Sequence, residues 1–177
     1  MTLEDYKALS ERTLSENFHV ADPSVKAAAL TIIENYLESA RQLDMLKKVL
    51  FYGKDPDILG HDYNEFVQQD APELANATLK EQKVLHGAIG VATESAEILE
   101  QVYNSLMAGR EVDAVNIGEE IADGMWYNAI FLRELNIDFF HALKNNIDKL
   151  AKRYGDKFSE YNALNRDLDA ERKILEA

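Results

Sequence analysis

Cysteine is absent from the 177-residue chain, which excludes disulfide frameworks, thiolate metal sites and cysteine nucleophiles together and fits a reducing compartment. Proline and glycine are scarce, at 3 and 8 residues. That is too few for the tight turns of a sandwich or barrel, or for a glycine-rich phosphate loop. Positive charge is in deficit, with 19 Lys and Arg against 32 Asp and Glu, a net charge of −13. So acidic a surface repels phosphate backbones, so nucleic acid is not an expected partner; it suits a site that collects divalent cations. No apolar run approaches the roughly 20 residues of a membrane span, and the opening MTLEDYKALSERTLSE lacks the apolar stretch of a secretory signal. A cytoplasmic protein without membrane association is expected. The remainder, 46% hydrophobic and 29% charged, is the composition of one folded globular domain.

What is present is helical periodicity. Leu3, Tyr6, Leu9 and Leu14 give residues 2–16 a helical spacing. Asp22-Pro23 opens a second helix whose apolar residues, from Ala29 through Ile33, Leu37, Ala40, Leu43 and Leu46 to Leu50, recur at steps of three and four. Residues 53–77 are punctuated by Pro56, Gly60-His61-Asp62 and Asp70-Ala71-Pro72 and predict turns and short helices. Helices are then expected over about 78–107, closed by Gly109, about 113–135 with Asp113 as cap, 138–154 closed by Gly155, and 159–175. Strand-like alternation is absent. The fold class is all-α, and short connections predict a bundle of antiparallel helices.

The chemistry concentrates in residues 83–127. Glu94 with Glu97, and Glu120 with Asp123, are acidic pairs three apart, so each pair projects from one helix face. The stretch 98–119 lets the second helix return against the first. Glu94 shares the apolar side of its helix with Val91 and Ile98, and Asp123 precedes Met125, Trp126, Ile130 and Phe131. Acids turned toward a core are costly unless paired or metal-bound, and no basic residue lies within 101–108 or 112–132 to pair them locally. Three readings stay open on the residues alone: a metal site, solvated surface acids, and buried pairs with a distant Lys or Arg. Oxygen-only ligands favour Mg²⁺ or Mn²⁺ over Zn²⁺. A di-iron centre would use two Glu-x-x-His motifs, and only Glu16 with His19 has that spacing.

The combination TESAEILE followed by EEIADGMWY resembles the MazG-like, all-α nucleoside triphosphate pyrophosphohydrolases, whose signature is E-x-x-E on one helix and E-x-x-D on the next. The resemblance covers about residues 84–177, with DYKALSERT near the start. It implies one pyrophosphohydrolase domain over 1–177, with a divergent helical insertion at about 18–80. The fuller signature begins with two adjacent acids; here Thr93 stands in the first position. By resemblance Glu94, Glu97, Glu120 and Asp123 are the magnesium ligands and catalytic residues, with Mn²⁺ as a substitute. The implied reaction is Mg²⁺-dependent hydrolysis of a nucleoside or deoxynucleoside triphosphate to the monophosphate and pyrophosphate, by metal-activated water at the α-phosphorus. A homodimer or homotetramer is also implied.

A polyphosphate tail needs cations. Lys149 and Arg153, four apart, with Lys144 on an adjoining turn and Tyr154 beside them, are the candidates. On the residues alone a basic helix end that complements the dipole is the preferred explanation; the K-L-x-x-R-Y pattern, shared with the family, reverses that and implies phosphate binding. Asn128 is placed to read a base edge, and Trp126, Tyr127 and Phe131 form either a core stripe or a stacking surface. His86 on an apolar face is expected to be packed and hydrogen-bonded. Two alternatives are a non-catalytic helical protein that binds metal or a partner, and a histidine–aspartate phosphohydrolase suggested by His61-Asp62.

Overall fold

The structure, a computed structural model, describes residues 1–15, 22–60 and 76–176. His19, the His61-Asp62 pair and the Asp70-Ala71-Pro72 turn lie outside the described residues. Among those described, regular structure is entirely helical: α1 (Leu3–Glu11), α2 (Pro23–Tyr52), a 3₁₀ turn (Pro56–Leu59), α3 (Leu79–Met107), α4 (Ala114–Glu134), α5 (Phe139–Tyr154), α6 (Glu160–Leu164) and α7 (Leu168–Leu175). No helix is long and apolar enough to cross a membrane among these residues.

The boundaries follow from side-chain chemistry. Thr78 accepts from the Glu81 amide while the Glu81 carboxylate returns to the Thr78 amide, a capping box that starts α3. Asp113 and Asp138 cap α4 and α5 as the sequence predicts. Gly109 and Gly155 follow α3 and α5 with φ of 62° and 69°, a conformation that costs glycine least. Two expectations are corrected. The first helix, expected over 2–16, ends at Glu11. The last, expected over 159–175, breaks at Asn165, and Asp167 opens a new helix by accepting from the Ala170 amide.

The chain divides into two compact units, residues 23–136 and residues 1–22 with 137–177. In the central unit, α3 and α4 run antiparallel: Lys83 reaches Glu134, Gly90 meets Tyr127, and Gln101 reaches Glu120. Helix α2 is antiparallel to α3, with Lys47 at Glu94, Arg41 at Glu100 and Glu34 at Tyr103. Leu37 and Ala40 of α2 form a small core with Ala96 of α3. Much of the stretch expected as an insertion is therefore α2, packed along α3. Gly90 sets how closely α3 and α4 approach, since a Cβ there would lie 2.1 Å from the Tyr127 ring.

In the terminal unit α7 returns antiparallel to α5, with Arg153 at Glu171 and Asn145 near the Leu175 carbonyl. Helix α1 runs parallel to α5: Tyr6 bonds Asn146 and Arg12 bonds Asp156. Short connections predict antiparallel neighbours, but α1 reaches α5 only after the whole central unit, and that long connection leaves direction free.

Candidate metal centre

On α3, the i, i+3 spacing places Glu94 and Glu97 on the same side, and Thr93 stands beside them. Thr93 and Glu94 are buried, 1% and 6% exposed, because this part of α3 is covered by both α2 and α4. Glu120 of α4 faces them. One carboxylate oxygen from each of Glu94, Glu97 and Glu120 lies within 4.8 Å of the others. Glu94 is buried, Glu120 half-buried and Glu97 exposed. Gln101 donates to Glu120 at 3.2 Å and fixes its orientation.

The electrostatics are those of crowded like charges. Glu120 is pushed up to about 7 by partial burial and by the charges of Glu97 and Glu94. Glu97 is raised by shielding of its carboxylate and by Glu94 and Asp44. Three converging carboxylates, all oxygen donors, of which Glu97 and Glu120 resist ionisation, could hold a hard divalent cation. Asp123 stands outside this trio. It is exposed, where its apolar neighbours in sequence had suggested a core-facing acid, and it acts on Glu120 only as a further repelling charge. The helix around it explains why: Ile121, Met125 and Trp126 are themselves exposed, and of that apolar run only Tyr127 and Ile130 are buried.

Lys47 and Asp44 of α2 complete the centre, and sequence reasoning missed both. The Lys47 ammonium donates to Thr93 Oγ1 at 2.8 Å and to Glu94 Oε1 at 3.0 Å, and pairs with Asp44 at 3.2 Å. Burial works against its charge, yet the bond and attraction to Glu94 outweigh it and raise its affinity for the proton. Of the three readings left open for the acids, buried pairing with a distant Lys therefore holds for Glu94, while Glu97 and Glu120 converge with no cation bonded to either among the described residues. A signal existed: Leu37, Ala40, Asp44 and Lys47 follow steps of three and four along the face of α2 that meets α3.

Around this network lies a second cluster. Tyr127, under Lys47 at 5.2 Å from the ring centre, shares a 2.7 Å hydrogen bond with Tyr52, and burial and that bond push its hydroxyl up to about 12. His86 is stacked on Phe51 at 4.2 Å and ringed by the edges of Tyr52, Trp126 and Tyr127. It is packed as expected, but its Nε2 has no hydrogen-bond partner among the described residues, and burial lowers its affinity for a proton.

The expected phosphate-binding residues are arranged differently. Asn128 is in the central unit and turns its amide back to the Gly124 carbonyl at 2.7 Å. Lys144, Lys149, Arg153 and Tyr154 belong to the terminal unit. There Arg153 makes a two-pronged pair with Glu171, at 2.7 and 2.6 Å, and touches the Tyr154 hydroxyl at 3.4 Å. Lys144 pairs with Asp148. Lys149 is half-buried with no ion-pair partner among the described residues. No protein-family model, curated protein or solved structure matches the chain.

Proposed function

We propose that the protein hydrolyses a nucleoside or deoxynucleoside triphosphate to the monophosphate and pyrophosphate with a divalent cation, Mg²⁺ or in its place Mn²⁺. The convergence of Glu94, Glu97 and Glu120 within 4.8 Å carries the reading. A cation held by these three would supply the positive charge that a triphosphate and an attacking water both need. Glu97, the most exposed of the three and raised in proton affinity, suits the general base that takes a proton from water as it attacks the α-phosphorus. Glu120 is oriented by Gln101, and Glu94 is fixed by Lys47 and Thr93. Of the basic residues expected to hold a phosphate, Lys149 has no ion-pair partner among the described residues, whereas Arg153 is engaged by Glu171 and Lys144 by Asp148. Asp123 assists through charge.

The test is release of pyrophosphate from a panel of triphosphates with and without Mg²⁺, with both products identified. Equal amounts of monophosphate and pyrophosphate, only with metal, are expected. A diphosphate with inorganic phosphate would overturn the reaction type.

The engagement of Arg153 by Glu171 favours a second reading, a non-catalytic helical protein that binds metal or a partner. A metal-induced rise in melting temperature without turnover of any triphosphate would select it. Under either reading, a homodimer or homotetramer is proposed in a cytoplasmic setting. Val115, Trp126 and Ile121 of α4 are 80%, 60% and 55% exposed, an apolar surface suited to a second copy. A mass near one chain by light scattering at all concentrations would exclude it.

A further inference from the structure

The ammonium of Lys47 is enclosed where α2 meets α3, in a residue 4% exposed. Its Nζ lies 2.8 Å from Thr93 Oγ1, 3.0 Å from Glu94 Oε1 and 3.2 Å from Asp44 Oδ1. An ammonium has three hydrogens, and these three oxygens account for all of them. The Tyr127 ring lies 5.2 Å from the nitrogen. Lys47 thus has no hydrogen to offer a phosphate and no exposed side from which to offer one. It is not the lysine that grips a triphosphate.

The surroundings are instead those of a bound cation. Two carboxylate oxygens and a hydroxyl oxygen, drawn from two helices, enclose one positive charge, the hard donor set a divalent ion takes, here at hydrogen-bond lengths. Glu94 belongs to both groups. One of its oxygens meets Lys47, and it also converges with Glu97 and Glu120. Charge counting points the same way. Glu94, Glu97 and Glu120 carry three negative charges when ionised; Lys47 offsets one, and the two left are the charge of one divalent ion. Asp44 does not alter the sum, because it is shared with Lys48.

We infer that Lys47 is a built-in cation standing in the place of one divalent ion, so that the centre takes a single ion per chain, on the Glu97 and Glu120 side of Glu94. Sites for phosphoryl chemistry use one ion or a bridged pair; here the protein's own ammonium occupies half of such a pair. The inference rests on the reading of the cluster as a metal centre, and its test keeps the two apart.

The experiment is equilibrium dialysis with Mn²⁺, free ion being read by electron paramagnetic resonance, without substrate. Wild type is expected to bind one Mn²⁺ per chain. Lys47→Ala empties the space and removes the cation paired with Glu94, leaving Asp44 to Lys48, and is expected to bind two. Lys47→Gln keeps the bulk and a donor but not the charge, and is expected to bind one ion at least about tenfold more tightly, because a neighbouring positive charge no longer opposes it. Circular dichroism establishes that each variant is folded, and Lys47→Gln decides the matter if Lys47→Ala does not fold. Two ions in wild type overturn the inference. One ion at unchanged affinity in both variants overturns it while leaving the metal reading intact. No ion in wild type removes the metal reading and this inference with it.

Discussion

Glu171 and Glu120 are both carboxylates held against a neighbouring helix, one in each unit, and their surroundings drive them in opposite directions. Glu171, on α7, lies between Arg153 and Arg166, at 2.6 and 2.7 Å, and their hydrogen bonds lower it to about 2. Glu120, on α4, lies among Glu97, Glu94, Glu119 and Asp123 and is raised to about 7. The first acid ties α7 to α5 and to the loop before α7. The second is a charge the fold tolerates at a cost. An acid whose position destabilises the empty protein is a better candidate for ligand binding than one that already has its partners.

The largest expected effect comes from breaking the satisfied acid. Glu171→Ala leaves Arg153 and Arg166 unpaired and should destabilise the terminal unit by about 3 kcal/mol, the low end for one partner of a buried ion pair; urea denaturation measures it. Glu120→Gln should do the reverse in metal-free protein, raising the melting temperature by relieving repulsion. The same variant should lower Mg²⁺-dependent pyrophosphate release by about 100-fold, at least the loss seen when an outer partner of a metal ligand is removed. If the two variants move stability in the same direction, the contrast between the acids is wrong.

A pH series in the presence of a chelator sharpens the comparison. Glu171 is lowered from 4.5 to about 2, so its contribution is complete above pH 4.5 and is lost as pH falls toward 2. Glu120 is raised from 4.5 to about 7, so the folded state binds its proton more tightly, and stability falls as pH rises from 4.5 through 7. The two limbs should meet in a maximum near pH 4.5. Glu120→Gln should flatten the upper limb alone and Glu171→Ala the lower alone. The smallest effect is expected at Asp123, whose carboxylate is exposed and outside the trio. Asp123→Asn should cost under about tenfold in pyrophosphate release, below the usual range for outer partners of a metal site. A loss equal to that of Glu120→Gln would restore it as a ligand.

The helical architecture was legible because its signals are local. Asp113, Asp138, Gly109 and Gly155 act within one turn of their own positions, and all four mark real ends. The break at Asn165 was equally local, since Asp167 is an N-cap, but apolar spacing across 159–175 concealed it. The pairing of Glu94, Glu97 and Glu120 was legible from two i, i+3 spacings and a returning helix. A distant Lys was among the open readings, but nothing local to Lys47 singles it out as that partner: it lies 47 residues from Glu94, and α2 delivers it from the far side of the 3₁₀ turn. The exposure of Asp123 was hidden for a related reason. Apolar neighbours imply burial only where another element covers them, and Ile121, Met125 and Trp126 are left largely open.

The position of Trp126 has an optical consequence. It is the one tryptophan in the chain, and its indole meets the Tyr127 ring edge-on, 5.0 Å between centroids at 88°. The Lys47 ammonium lies over that same ring, 5.2 Å from its centroid. A charge entering or leaving the carboxylate cluster is thus two aromatic contacts from the chain's single strong fluorophore. Excitation of the indole should report occupancy of the proposed ion site in unlabelled protein, with emission midway between its empty and filled values at the ion concentration that half-fills it.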